Sequence, residues 1–285
     1  MNSRAIRRLL NNGSLVRLRY GCYVRADVWA KQSATVRSLQ LIHAHAYGTM
    51  TTSTGGYVYS HTSAARLHRL FLWNVDDLIQ VLLRVKPSKE RLGKDVQGHT
   101  GPFTDADVMT LGKVRVTTLE RTAVDCALML EYGQALVLMD HALRLGAQPG
   151  VVHMMADALA GRPGIRNLRS ALLKADPRSE SAGETLTRER LSRLKLPMPE
   201  PQVEVQTRLG RHRLDFAWKE QKVALEFDGK VKYFDYRPTA EVLFEERRSA
   251  GTLKPSGSPA LFQRLWSGQL QVRRRQERHS SARAS

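Results

Sequence analysis

The chain has 285 residues and a formal net charge of +18, with 45 Lys and Arg against 27 Asp and Glu. Hydrophobic residues make up 42%, enough for packed cores, and the length suits about two domains. The surplus of cations points to a polyanionic partner, DNA before any other. The two distant cysteines, Cys22 and Cys126, exclude a disulfide scaffold or a cysteine zinc site.

Two cysteines also fit a reducing, cytoplasmic setting. No apolar run approaches the ~20 residues that span a bilayer, so no membrane partner is expected. Met1 to Arg8 is basic but lacks the apolar stretch of a signal peptide.

Residues 1–30 read as helix, then hairpin. Ile6, Leu9 and Leu10 share one face of a short helix, and Arg4, Arg7 and Arg8 the other. Asn11-Asn12-Gly13 stops it. Ser14 to Arg19 alternates, Tyr20-Gly21 can turn, and Cys22 to Arg25 can pair back. A basic helix followed by a basic hairpin has the form of a recognition helix and wing. Arg4, Arg7, Arg8, Arg17 and Arg19 are then the candidate DNA contacts, because guanidinium groups meet phosphates. An amphipathic helix and hairpin with solvated arginines would give the same pattern.

Residues 31–176 read as a mixed α/β block. Helices are expected over Val36–Ala46, Ala64–Leu70, Leu119–Leu130, Gly133–Leu145 and Ile165–Ala175. Strands are expected over Leu78–Val85, Val96–His99 and Val114–Thr117. Pro149-Gly150 reads as punctuation. His43 and His45 lack partners at metal-ligand spacing, and Ser63 suits a helix cap better than a nucleophile.

After Asp176-Pro177 a helix is expected over Ser181–Leu194. Strands follow over Gln202–Thr207, Arg213–Trp218 and Val223–Phe227. Asp215 sits in an apolar strand. Glu226, Asp228 and, if the strand continues, Lys230 share a face of the next one. Carboxylates adjacent in an apolar wall repel and lose solvation, so they persist best around a hard cation. Mg²⁺ (or Mn²⁺) is the expected cofactor, because it takes oxygen ligands and activates water against a phosphodiester. Glu184 is the third candidate acid, although Ser181 and Glu184 also form a capping box. Asp228-Gly229 also suits a turn.

A helix with Glu184, a strand with Asp215 and a strand reading Glu226-Phe227-Asp228-Gly229 together resemble the PD-(D/E)XK nuclease fold. The branch resembled is the very-short-patch-repair endonuclease-like domain of many actinobacterial proteins, which Glu200-Pro201-Gln202-Val203 also resembles. The resemblance runs from about Ser179 to Arg248. It implies that Asp215 and Glu226 are metal ligands and that Glu184 fills the helical acidic position. Asp228 stands where many of these nucleases carry a catalytic lysine; Lys230 or Lys222 would have to supply that charge. His61-Thr62-Ser63-Ala64-Ala65 and Val116 to Asp125 resemble the AbiEi-type antitoxin family, which implies a winged helix-turn-helix before an α/β domain, and a cognate toxin as partner.

The fold class expected is α/β (α+β). It comprises a partial winged helix (1–30), an AbiEi-like α/β domain (31–176), a restriction-endonuclease-like domain (177–248) and a disordered basic tail (249–285). The tail carries seven cations against one acid, and its Ser- and Arg-rich composition cannot fill a core layer. A reading-frame change near Arg248 and a late start codon would account for the abrupt end and the short beginning. Two functions stay open: a metal-dependent DNA endonuclease, and an antitoxin-type DNA-binding regulator whose nuclease-like domain is degenerate. The product of a damaged gene is the bland third.

Overall fold

The computed structural model describes residues 3–50, 57–85, 92–207, 210–227 and 270–274. The protein is a mixed α/β chain that divides into two compact units, Met1–Ala175 and Asp176–Ser285.

The first unit opens with helix α1 (Ser3–Asn11) and a hairpin of β1 (Leu15–Arg19) and β2 (Cys22–Arg25). Gly13, at φ +72°, takes the left-handed conformation that follows a helix end, and Gly21, at φ +76°, makes the tight turn. Ile6, Leu9 and Leu10 are half-buried while Arg4, Arg7 and Arg8 are exposed, so the amphipathic pattern sets which face of α1 packs. The hairpin departs from the expected strict alternation. A β-bulge lies between Arg17 and Arg19, and a bulge re-aims the side chain beyond it.

Helices α2 (Ala26–Lys31) and α3 (Ala34–Met50) lead into a five-stranded sheet. Its strands are β3 (Val58–Tyr59), β4 (Ile79–Leu83), β5 (Val96–Thr100), β6 (Val108–Leu111) and β7 (Val114–Thr117), in the order β5-β4-β3-β7-β6. The pairs β3–β7 and β4–β5 are parallel; β3–β4 and β6–β7 are antiparallel. Helix α4 (His61–Leu67) enters between β3 and β4. Ile42, Tyr59, Ile79, Val81 and Val116 form a core here. Burying each such side chain contributes roughly 1.5–3 kcal/mol.

A second core lies among α5 (Leu119–Met129), α6 (Tyr132–Arg144), α7 (Pro149–Ala158) and α8 (Ile165–Lys174), around Val124, Leu136, Leu138, Met139 and Leu168. Thr118 caps α5 by accepting from Arg121 N–H at 3.3 Å. Besides helix α2, two elements here were not foreseen. Strand β6 is an edge with both ends of the strand only half-buried, so it carries little apolar signal. Helix α7 begins at Pro149, where a helix needs no N–H donor, so Pro149-Gly150 opens a helix instead of punctuating a loop.

The second unit holds α9 (Ala182–Arg193), then β8 (Glu200–Thr207), β9 (Gly210–Trp218), β10 (Val223–Phe227) and β11 (Leu270–Arg274). The sheet order is β11-β10-β9-β8, antiparallel throughout. Among the described residues its core is small: Leu191, Phe216 and Leu225, with Trp218 packed against them. Strand β11 lies inside the segment expected to be a disordered tail. That expectation does not hold for these five residues, which pair with β10 from Leu270 opposite Phe227 to Arg274 opposite Val223. Backbone pairing needs no apolar composition, which is why a Ser- and Arg-rich stretch can supply a strand. The remainder of 249–285 lies outside the described residues.

Candidate functional site

The acids expected to carry chemistry are positioned by α9, β9 and β10. β9 and β10 pair from Val223 opposite Trp218 to Leu225 opposite Phe216, so Asp215 and Glu226 each lie one position beyond the last pair on adjacent strands. On the other side, Pro201 faces Phe216 and Val203 faces Leu214, which sets Gln202 across from Asp215. Asp228 and Lys230 lie outside the described residues. Lys222 ends the β9–β10 turn at φ +52°.

Glu184 is 6% exposed. Its Oε1 accepts from the Ser181 hydroxyl at 2.8 Å; its Oε2 accepts from Glu180 N–H at 3.0 Å and from Gln202 Nε2 at 2.7 Å. Its own N–H donates to Ser181 Oγ at 3.2 Å. The capping box is therefore formed, and three donors satisfy the buried carboxylate. The bond to Gln202 ties the start of α9 to β8 at the level of Asp215. An ion pair between Arg213 and Glu180, at 2.5 Å, makes a second tie two residues away. Glu184 thus reaches the strand pair through Gln202. Among the described residues, no group of three His, Cys, Asp or Glu side chains is placed to hold a metal ion.

Sequence reasoning passed over Gln202 itself. Its backbone is left-handed, at φ +54°, which costs a residue with a side chain about 1–2 kcal/mol. Its Oε1 is buried and has no hydrogen-bond partner among the described residues; an orphaned acceptor costs roughly 1–3 kcal/mol. By residue type, Asp215 and Glu226 offer hard oxygen ligands of the kind that suits Mg²⁺ or Mn²⁺.

The basic candidates of the first unit separate into two kinds. Arg4, Arg7, Arg8 and Arg17 are exposed, and the Arg17 guanidinium lies 5.3 Å from the Tyr20 ring centre. Arg19, past the bulge, forms an ion pair with Asp95, 76 residues on. Its side chain is only 24% exposed.

A second polar centre, not foreseen as such, lies at the end of the mixed sheet. The His61 and His99 rings stack with centres 3.6 Å apart. His61 Nδ1 meets Ser60 Oγ at 3.0 Å, and His99 Nε2 donates to Gln80 Oε1 at 2.8 Å. Burial pushes the pKa of His61 down to about 4, aided by Arg121; burial does the same for His99, aided by His61. His61 has left-handed backbone, at φ +48°. Arg121 Nε binds Asp125 at 2.9 Å, while its Nη1 donates to Pro102 C=O at 3.3 Å. Burial raises the Asp125 carboxyl. Ser63 Oγ accepts from Gln80 N–H at 2.8 Å and is fully buried, which suits a structural role. His45 is likewise a core histidine, bonded to the Tyr59 hydroxyl at 2.7 Å.

No protein-family model matches the chain. Its sequence is similar to the uncharacterized protein MT2308 of Mycobacterium tuberculosis strain CDC 1551 / Oshkosh and to the uncharacterized protein Rv2248 of Mycobacterium tuberculosis strain ATCC 25618 / H37Rv. Each is 27% identical over 229 residues, which are 77% of this chain and 75% of the relative. That stretch is longer than either compact unit, so it includes residues of both.

Proposed function

We propose that this protein binds DNA through α1 and the β1–β2 hairpin, and that its second unit is a Mg²⁺-dependent phosphodiesterase of endonuclease type. The observation that carries the reading is the β9–β10 pairing, which puts Asp215 and Glu226 on adjacent strands, each one position beyond the Phe216–Leu225 pair. Asp215 and Glu226 would hold the ion, which when bound would polarise the phosphate and lower the pKa of a water. Asp215 and Glu226 would fix the position of that ion, and Glu184, through Gln202, holds α9 against the strands. The exposed Arg4, Arg7, Arg8 and Arg17 give the affinity for the backbone.

The second reading is a DNA-binding regulator without cleavage, in the manner of an antitoxin with a cognate toxin. It is favoured by the commitment of Glu184 to its cap and by the lack of a three-residue metal cluster among the described residues. Nicking of supercoiled DNA in Mg²⁺, by wild type against Asp215→Asn and Glu226→Gln, separates the two. Binding without nicking leaves only the regulator.

A further inference from the structure

Leu83 pairs with Thr100 at the carboxyl ends of the parallel strands β4 and β5. Arg84 and Gly101 are the next residues along the two strands. In open α/β sheets, ligands settle in the crevice outside the carboxyl ends of the strands, where the connections leave the sheet. A groove of about 710 Å³ lies at this end, lined by Arg84, Thr100, Pro102, Phe103, Thr104 and Asp107. Small-molecule sites have volumes of about 300–1,000 Å³.

One wall of the groove is fixed from behind. Arg121, held by Asp125 at 2.9 Å, donates to Pro102 C=O at 3.3 Å and pairs with Asp107 at 3.5 Å. Asp107 Oδ2 accepts from Thr104 N–H at 2.8 Å and from the Thr104 hydroxyl at 3.1 Å. The loop from Pro102 to Asp107 is thus in place before any ligand arrives, and a site set in advance loses less on binding. Asp107, the acid among the lining residues, already meets Arg121, so the charge the groove presents is that of Arg84. The Arg84 guanidinium lies over the Phe103 ring, 4.7 Å from its centre. Stacking uses a face of the guanidinium and leaves the N–H donors along its edge.

We propose that this groove binds an organic phosphate of nucleotide size. The phosphate sits on the Arg84 edge, which takes two of its oxygens through parallel N–H bonds. A third oxygen is left for the Thr100 hydroxyl, and the apolar body of the ligand lies against Pro102 and Phe103. Phe103 is a positioning residue for Arg84 as well as a contact. The site belongs to the mixed sheet and does not rest on the nuclease reading of the second unit.

The test is isothermal titration calorimetry of AMP into the full chain, with adenosine as the ligand that lacks the phosphate. Wild type should bind AMP and should bind adenosine at least tenfold more weakly. Arg84→Gln, at an exposed position, should weaken AMP binding roughly tenfold or more, the scale of one hydrogen bond to a charged group. A variant with Arg7→Ala and Arg8→Ala should bind AMP as wild type does, because those arginines lie on α1. Equal AMP affinity in wild type and Arg84→Gln overturns the proposal. Loss of AMP binding in the Arg7 and Arg8 variant, equal binding of adenosine and AMP, or no AMP binding by wild type overturns it as well.

Discussion

Arg19 on the hairpin pairs with Asp95 at the edge of the mixed sheet, and the β-bulge after Arg17 is what turns Arg19 inward. Five arginines that look alike in the sequence therefore divide into a surface set and an anchor. Replacing Arg7 and Arg8 with Ala should weaken DNA binding and reduce the salt slope by about one unit for each lost phosphate contact. Arg19→Ala should leave the slope unchanged. It should cost about 1 kcal/mol or less in stability, because Asp95 is half exposed and water screens the pair. Fluorescence anisotropy against salt concentration checks the first two statements, and urea unfolding the third.

The neutral histidines predict an acid-sensitive first unit. His45, His61 and His99 titrate near 4 when folded, against about 6.5 in an unfolded chain. Between those values the unfolded state holds more protons. Their contribution to stability is thus complete above about pH 6.5 and is lost as pH falls towards 4. The slope is on the order of 1 kcal/mol per pH unit for the buried His45, and less for His61 and His99, which are only half-buried. Urea unfolding at pH 7 and pH 5 should show the loss, and His61→Gln should flatten it. An identical pH dependence in His61→Gln would count against this account.

Gly164 precedes α8 with φ +82°, and a Cβ there would lie 1.9 Å from the backbone oxygen of Leu128. Backbone cannot give way as a side-chain tip can. Gly164→Ala should destabilise by about 2 kcal/mol or more, from clash and strain together. Gly112→Ala, where φ is +61° but space is open, should cost less. Chemical denaturation of the two variants orders them.

Glu184→Ala should remove one side of the capping box and leave Gln202 Nε2 without its acceptor. A loss of about 1–3 kcal/mol is expected from the unmet polar groups. Glu184→Gln can still accept from Ser181 through its carbonyl oxygen, so it should cost less. Thermal unfolding of both variants checks this order.

Much of this was legible along the chain, because alternation and helical stripes are local signals. The Arg213-to-Trp218 and Val223-to-Phe227 patterns gave the strands that carry Asp215 and Glu226. The arginine stripe of α1 gave its exposed face. What stayed hidden depends on distant partners. Arg19 finds Asp95 and His61 finds His99 only after folding, and no spacing rule links such residues. Gln202 was hidden for another reason: an amide in a polar strand is unremarkable until its bond to Glu184 is seen. Strand β11 was hidden by composition, since its pairing runs through the backbone.

Nicking of a supercoiled plasmid in Mg²⁺ tests the central claim most directly, with wild type and Asp215→Asn purified in parallel. The account predicts nicking that chelation abolishes and that falls by about a hundredfold or more in Asp215→Asn, the scale of losing several kcal/mol of charge stabilisation. Equal nicking by wild type and Asp215→Asn, or DNA binding by wild type with no nicking in Mg²⁺ or Mn²⁺, would contradict it.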